Sequence, residues 1–239
     1  MAQNNTKMIA SEASRMLHCA SIPNVLYGWE AMNLAGPRLP SSKYLGNAQT
    51  PAATSSSCGG ATSNPRNDYT TTPSPPAAHY HMGNGQYLLS LFLKSAILWW
   101  LPDLQLGAPA PNDPYLTLST NPSLPRPAVS GEWRNLHPIK ILKPGAFVDA
   151  TILLFCRNAC HHERLGTLYS YMIAALCDSE PGTVKKTPRA EFQPAWDCFN
   201  GRFPSGTDTL SEMKKLRQRL IERGDLSVLP PERGDEMNQ

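Results

Sequence analysis

Arg157 and Asp197 are charged residues placed where a chain folding in water should avoid charge. Arg157 follows Ile152-Leu153-Leu154-Phe155-Cys156, and Asp197 stands forty positions later between Trp196 and Phe199. A guanidinium or carboxylate taken out of water unpaired costs several kcal/mol. The residue types therefore predict a mutual ion pair, bidentate by preference. Read from residues alone, such a pair is a structural device.

Other clusters carry less chemistry. Cys156, Cys160, His161 and His162 offer four potential metal ligands within seven residues. One continuous helix cannot wrap all four around an ion, so no metal site and no cofactor is expected. Cys58-Gly59-Gly60 with His79 supplies a thiol and an imidazole but neither an orienting group nor an oxyanion donor. His79 and His81, beside Tyr80, read as solvated loop residues. The chain is not expected to be an enzyme.

The elements that position these residues are mainly helical. Met8, Ile9, Ala13, Met16, Leu17 and Ala20 recur at helical spacing before Pro23, predicting a short amphipathic helix that docks on its own core or on a neighbour. Residues 36–85 are dense in Pro, Ser, Thr, Asn and Gly, with no apolar period, and read as an irregular arm. Tyr87 to Trp100 is apolar nearly all round and predicts a buried core helix. The prolines from Pro102 to Pro138 prevent a helix through the next stretch.

From Gly145 to Cys177 apolar residues recur at three and four, predicting two helices with a break near His161 to Gly166. Glu191 to Asn200 predicts a short helix capped at Asn200-Gly201. Asp208 opens a last helix to Arg223, closed by Gly224, with a stripe of Leu210, Met213, Leu216 and Leu220 opposite a basic face. No alternation is strong enough for a large sheet. The fold class is mainly α, a helical-bundle core at 86–224 with long irregular arms at 1–35, 36–85 and 225–239.

Composition agrees. Of 239 residues 23 are Pro, 23 Ala and 20 Ser, which dilutes the core-forming types. The net charge of +3 is too small to identify a partner, but basic residues concentrate between Lys185 and Arg223. The six cysteines form no compact framework and read as reduced, intracellular thiols. No apolar N-terminal leader is visible, and the longest apolar stretch falls short of the ~20 residues a membrane span needs.

Arg157, the helix before it, the segment Trp196-Asp197-Cys198-Phe199-Asn200-Gly201 and the amphipathic helix after it resemble the core signature of flexible filamentous virus coat proteins, the potexviruses among them. The likeness covers roughly Gly145 to Gly224. Trp196 and Cys198 stand where that family commonly has phenylalanines. The resemblance implies a virion coat protein that polymerises helically around RNA, in the virion and the host cytoplasm, binding the phosphate backbone without sequence preference and using its arms between subunits.

The resemblance further implies that Arg157 and Asp197 lie near RNA, with a serine upstream of the arginine, Ser119, Ser123 or Ser130. Asp197 would orient the guanidinium or bond a ribose or base. Lys185, Lys186, Arg189, Arg202, Lys214 and Arg217 are the further backbone-contact candidates, and Lys215, Arg219 and Arg223 share the last helix's basic face. The composition is also similar to proline-alanine-serine-rich proteins that coat the RNA of some fungal viruses. The contrasting expectation is a non-enzymatic α-helical interaction protein with Pro-rich arms and no RNA binding, in which Arg157 and Asp197 form only a structural pair.

Overall fold

A helix whose every side contacts protein can form only at the centre of a molecule, and Ala146 to Phe155 is such a helix. The computed structural model describes residues 2–28, 31–32, 76–82, 87–124, 133, 135–158, 163–177, 188–201 and 208–226. Its helices are α1 (Ala2–Cys19), the four-residue α2 (Lys94–Ile97), α3 (Pro144–Asn158), α4 (Glu163–Cys177), α5 (Gln193–Phe199) and α6 (Thr209–Glu222). Its strands are β1 (Ala78–Met82), β2 (Tyr87–Leu91), β3 (Leu116–Leu118) and β4 (Lys140–Leu142). The described chain is mainly α.

Pro144 starts α3 at a position where its missing N–H is no loss, and the first helical bond runs from Phe147 N–H to Lys143 O at 2.8 Å. Of its residues only Gly145 escapes burial. Two of its polar side chains are satisfied within the helix: Thr151 Oγ1 donates to Phe147 O and Asn158 Nδ2 to Leu154 O, each at 2.8 Å. Around α3 pack α4, α6 and β4, and α5 packs on α6. Phe147, Ile152, Leu154, Ile173, Phe192 and Leu220 sit in that core with almost no exposed surface. Each such side chain contributes about 1.5–3 kcal/mol relative to leaving it in water.

The helix breaks follow the sequence signals. Asn200 caps α5 and Gly201 turns the chain at φ +64°. Asp208 caps α6, its Oδ1 accepting from Leu210 N–H at 3.1 Å and its Oδ2 from Ser211 N–H at 3.2 Å. Met213, Leu216 and Leu220 face inward, but Leu210 is half exposed and does not continue that stripe. Asp208→Ala is expected to cost about 1 kcal/mol, read as a lowered midpoint in thermal unfolding followed by circular dichroism.

The expected core helix over Tyr87–Trp100 is corrected. Its first five residues form β2, paired antiparallel with β1 in the register Met82↔Tyr87 to Ala78↔Leu91, and only Lys94–Ile97 is helical. A short apolar run cannot be assigned by period alone, and Gly83-Asn84-Gly85 between the strands is a hairpin sequence. β1 also gives a regular element to the end of the segment read as an irregular arm; residues 36–75 lie outside the described residues. A second ladder pairs β3 with β4, from Leu116↔Leu142 to Leu118↔Lys140, and Leu26 bridges in parallel to Ile141.

α1 is longer than expected and lies with Lys7, Ala10, Ser11 and Ser14 buried, Ser11 Oγ donating to His137 O at 3.3 Å. Met8 and Met16 face outward. No described helix is long and apolar enough to cross a membrane.

Candidate functional site

Arg157 lies in the last turn of α3 and is 3% exposed. Its Nη1 donates to Ala96 O at 2.6 Å, and its guanidinium carbon lies 4.4 Å from the centre of the Trp99 ring. Burial pulls its pKa down, while the nearby Tyr169 and Tyr27 phenols act the other way. Both phenols are held well above their ordinary range, first by burial. Its described surroundings thus include a carbonyl, an indole face and two neutral phenols. A buried cation over an aromatic face is stabilised by the ring quadrupole, by roughly 2 kcal/mol when desolvated.

The expected ion pair is not formed. Asp197, half-buried on α5, accepts from Gln193 Nε2 at 2.8 Å, and Arg157 is not among the ion-pair partners of the described residues. A main-chain oxygen, that of Ala96, accepts from the guanidinium. The two halves of the segment nevertheless meet. Phe155, two residues before Arg157, packs edge-on against Phe199, two after Asp197, with ring centroids 6.3 Å apart.

The carboxylate-held guanidinium expected at Arg157 occurs elsewhere, between Asp149 and Arg189. Asp149 Oδ1 accepts from the Arg189 backbone N–H at 2.9 Å and Oδ2 faces Arg189 Nε at 3.2 Å. Arg189 Nη1 meets Glu191 Oε1 at 3.3 Å, and the guanidinium lies over Phe192 at 4.4 Å and Trp100 at 5.7 Å. Glu191 Oε2 is also held by Arg223 Nη2 at 2.5 Å, and Arg223 pairs with Asp225. An alternating chain of charge therefore ties α3, the turn at Ala190–Phe192 and the end of α6. Trp99 joins this chain to Arg157, because its Nε1 donates to Asp225 O at 2.9 Å.

Asp149 is almost fully buried, and burial pushes its pKa up to about 6, the Arg189 contacts only partly opposing this. The folded state thus holds this proton more tightly than the unfolded chain, whose carboxyl has its ordinary value of 3.8. The stability Asp149 adds is full below that ordinary value and is lost as pH rises to about 6. The stability difference between wild type and Asp149→Asn is expected to fall by about 2–3 kcal/mol from pH ~4 to pH ~7. Urea midpoints at the two pH values check this.

Arg189 lines a cleft of about 390 Å³ together with Pro114, Tyr115, Lys143, Asp149 and Pro188. Lys143 Nζ donates to Asp113 O, and Tyr115 is backed edge-on by Trp100 at 5.6 Å. No protein-family model, no curated protein and no solved structure matches the chain.

The remaining candidates divide. Lys214 is exposed on α6 and Arg217 is half-buried there; Lys185, Lys186 and Arg202 lie outside the described residues. Of the other basic residues on α6, Lys215 pairs with Glu212 at 2.6 Å, Arg223 is engaged as above, and Arg219 is exposed. Ser119 has no exposed surface and its Oγ accepts from Ile139 N–H at 3.1 Å, so it is closed to any ligand here. Ser123 is exposed, and Ser130 lies outside the described residues. Asp149, Lys143 and Tyr115 escaped the sequence reading. Asp149 carried a usable signal: an acid inside an apolar helical run, forty residues before an arginine.

Proposed function

We propose that this chain is a non-enzymatic coat protein that polymerises helically around genomic RNA, in the virion and in the host cytoplasm, and binds the phosphate backbone without sequence preference. The observation that carries the reading is the Phe155–Phe199 contact, which joins the two distant halves of the coat-protein-like segment in one core. In this reading the helical core lies between long irregular N- and C-terminal arms that reach neighbouring subunits. Phosphate neutralisation falls to Arg189, Lys214 and Arg217, with Lys185, Lys186 and Arg202 adjoining them in sequence. Arg157 meets RNA in the filament only where assembly turns Trp99 aside. Asp197, half-buried on α5, supplies a ribose or base hydrogen bond.

RNA affinity held by phosphate neutralisation must fall with salt, with a log–log slope of about −0.7 per phosphate contact on single strands. For about three contacts the affinity is expected to drop roughly tenfold to thirtyfold between ~50 and ~200 mM salt. It is expected to be the same for unrelated single-stranded sequences. Filter binding across that range checks both, and a salt-independent or sequence-selective affinity contradicts the reading.

A second reading is favoured by one observation, the seal of Trp99 over Arg157. It makes the chain an α-helical interaction protein with Pro-rich arms, Arg157 serving only to pack Trp99. That protein would bind no RNA at any salt.

A further inference from the structure

We infer that the cleft between Tyr115, Lys143 and Arg189 is a nucleotide subsite, in which Arg189 and Lys143 hold a phosphate and the Tyr115 ring carries the base. This deepens the RNA reading and rests on it for the polymer. Arg189 differs from Arg157 in reach: its side chain is 42% exposed while two carboxylates fix its orientation. Asp149 engages Nε and Glu191 engages Nη1, while Nη2 has no acceptor among the described residues. A guanidinium so fixed binds phosphate without first losing its own side-chain freedom.

Lys143 strengthens the assignment. An ammonium carries three donors, and one of them is used on Asp113 O, which anchors the group in the cleft wall. Tyr115 gives that wall a ring face, and Trp100 packed edge-on behind it, 5.6 Å away, limits its movement. Pro114 and Pro188 supply apolar surface for the edges of a base or ribose. The volume of about 390 Å³ lies in the range that takes a small ligand, and it suits one nucleotide better than a folded partner. Asp149 also lines the cleft, but both its oxygens are turned into the Arg189 contacts. Its charge is thus opposed by the arginine it orients. An acidic peptide could use the two cations but would leave Tyr115 idle; stacking makes a nucleotide the better fit.

The test is calorimetric titration of the full chain with adenosine monophosphate, adenosine, inorganic phosphate and an oligoadenylate of about twelve nucleotides. The variants are Arg189→Lys, which keeps a cation against Asp149, and Tyr115→Leu, which keeps an apolar wall; circular dichroism melts confirm that each folds. Wild type is expected to bind the monophosphate more tightly than phosphate or adenosine. Arg189→Lys should weaken it about tenfold or more, because the fork is lost. Tyr115→Leu should weaken the monophosphate about fivefold or more and leave phosphate unchanged.

Binding of the monophosphate without the oligomer would keep the subsite and remove the RNA-coat reading. Oligomer binding that both folded variants retain in full would keep the coat reading and overturn the subsite. Equal affinity for phosphate and monophosphate would reduce the cleft to an anion site, and no binding of any probe would overturn both.

Discussion

Arg157→Ala is expected to cost the fold about 3–5 kcal/mol, while Arg157→Met costs less than about 2 kcal/mol. Alanine removes the guanidinium that fills the space between the Ala96 carbonyl and the Trp99 ring, and leaves a cavity at the end of α3 with a carbonyl facing it. Methionine restores most of the volume and keeps a polarizable sulfur against the indole, which such rings favour. It also removes a buried cation and with it the cost of desolvating that charge. Urea unfolding of both variants measures the difference. In the coat-protein reading the methionine variant, though folded, is expected to protect RNA from nuclease less well than wild type. Full protection by that variant would confine Arg157 to a packing role.

Phe147→Ala is expected to be comparably severe, about 3–5 kcal/mol, and to shift the urea midpoint with little change in slope. Phe147 has no exposed surface and stacks on Tyr27, with ring centroids 5.1 Å apart and planes 20° from parallel. The lost ring removes its own buried area and that stacking contact, worth about 0.5–1.5 kcal/mol further. A domain of this size is stable by only about 5–15 kcal/mol, so the variant is expected to lose much of its folded population near physiological temperature. Phe147 lies in the first turns of α3, near Gly145 and Ala146 in the cleft wall. Its loss therefore also loosens the surface that Arg189 and Lys143 share.

The helices were legible where local chemistry marked them. Asp208 and Gly224 bound α6 by capping and by a positive φ, effects that act within a turn and so are written in adjacent residues. Ala146 to Phe155 could only be a buried helix, because its apolar residues cover every side. The Tyr87–Leu91 strand was not legible, because it exists by pairing with β1 and a short apolar run suits either structure.

The Arg157–Asp197 pair is absent for a different reason. Charge must be satisfied when buried, but a backbone oxygen does this as well as a carboxylate, and no residue type announces it. One acceptor for Arg157 is the Ala96 carbonyl, sixty-one residues upstream. A carboxylate orienting an arginine forty residues away is present, with Asp149 and Arg189 as its members. What separates the two sites is exposure, which depends on how Trp99 and the turn after Pro188 fold over α3.

The central claim is assembly around RNA, and negative-stain electron microscopy with a nuclease challenge tests it most directly. Purified chain mixed with single-stranded RNA of arbitrary sequence at low salt is expected to give flexuous filaments whose RNA survives digestion. Dispersed particles with the RNA fully degraded would contradict the coat-protein account and leave the α-helical interaction protein as the reading of this chain.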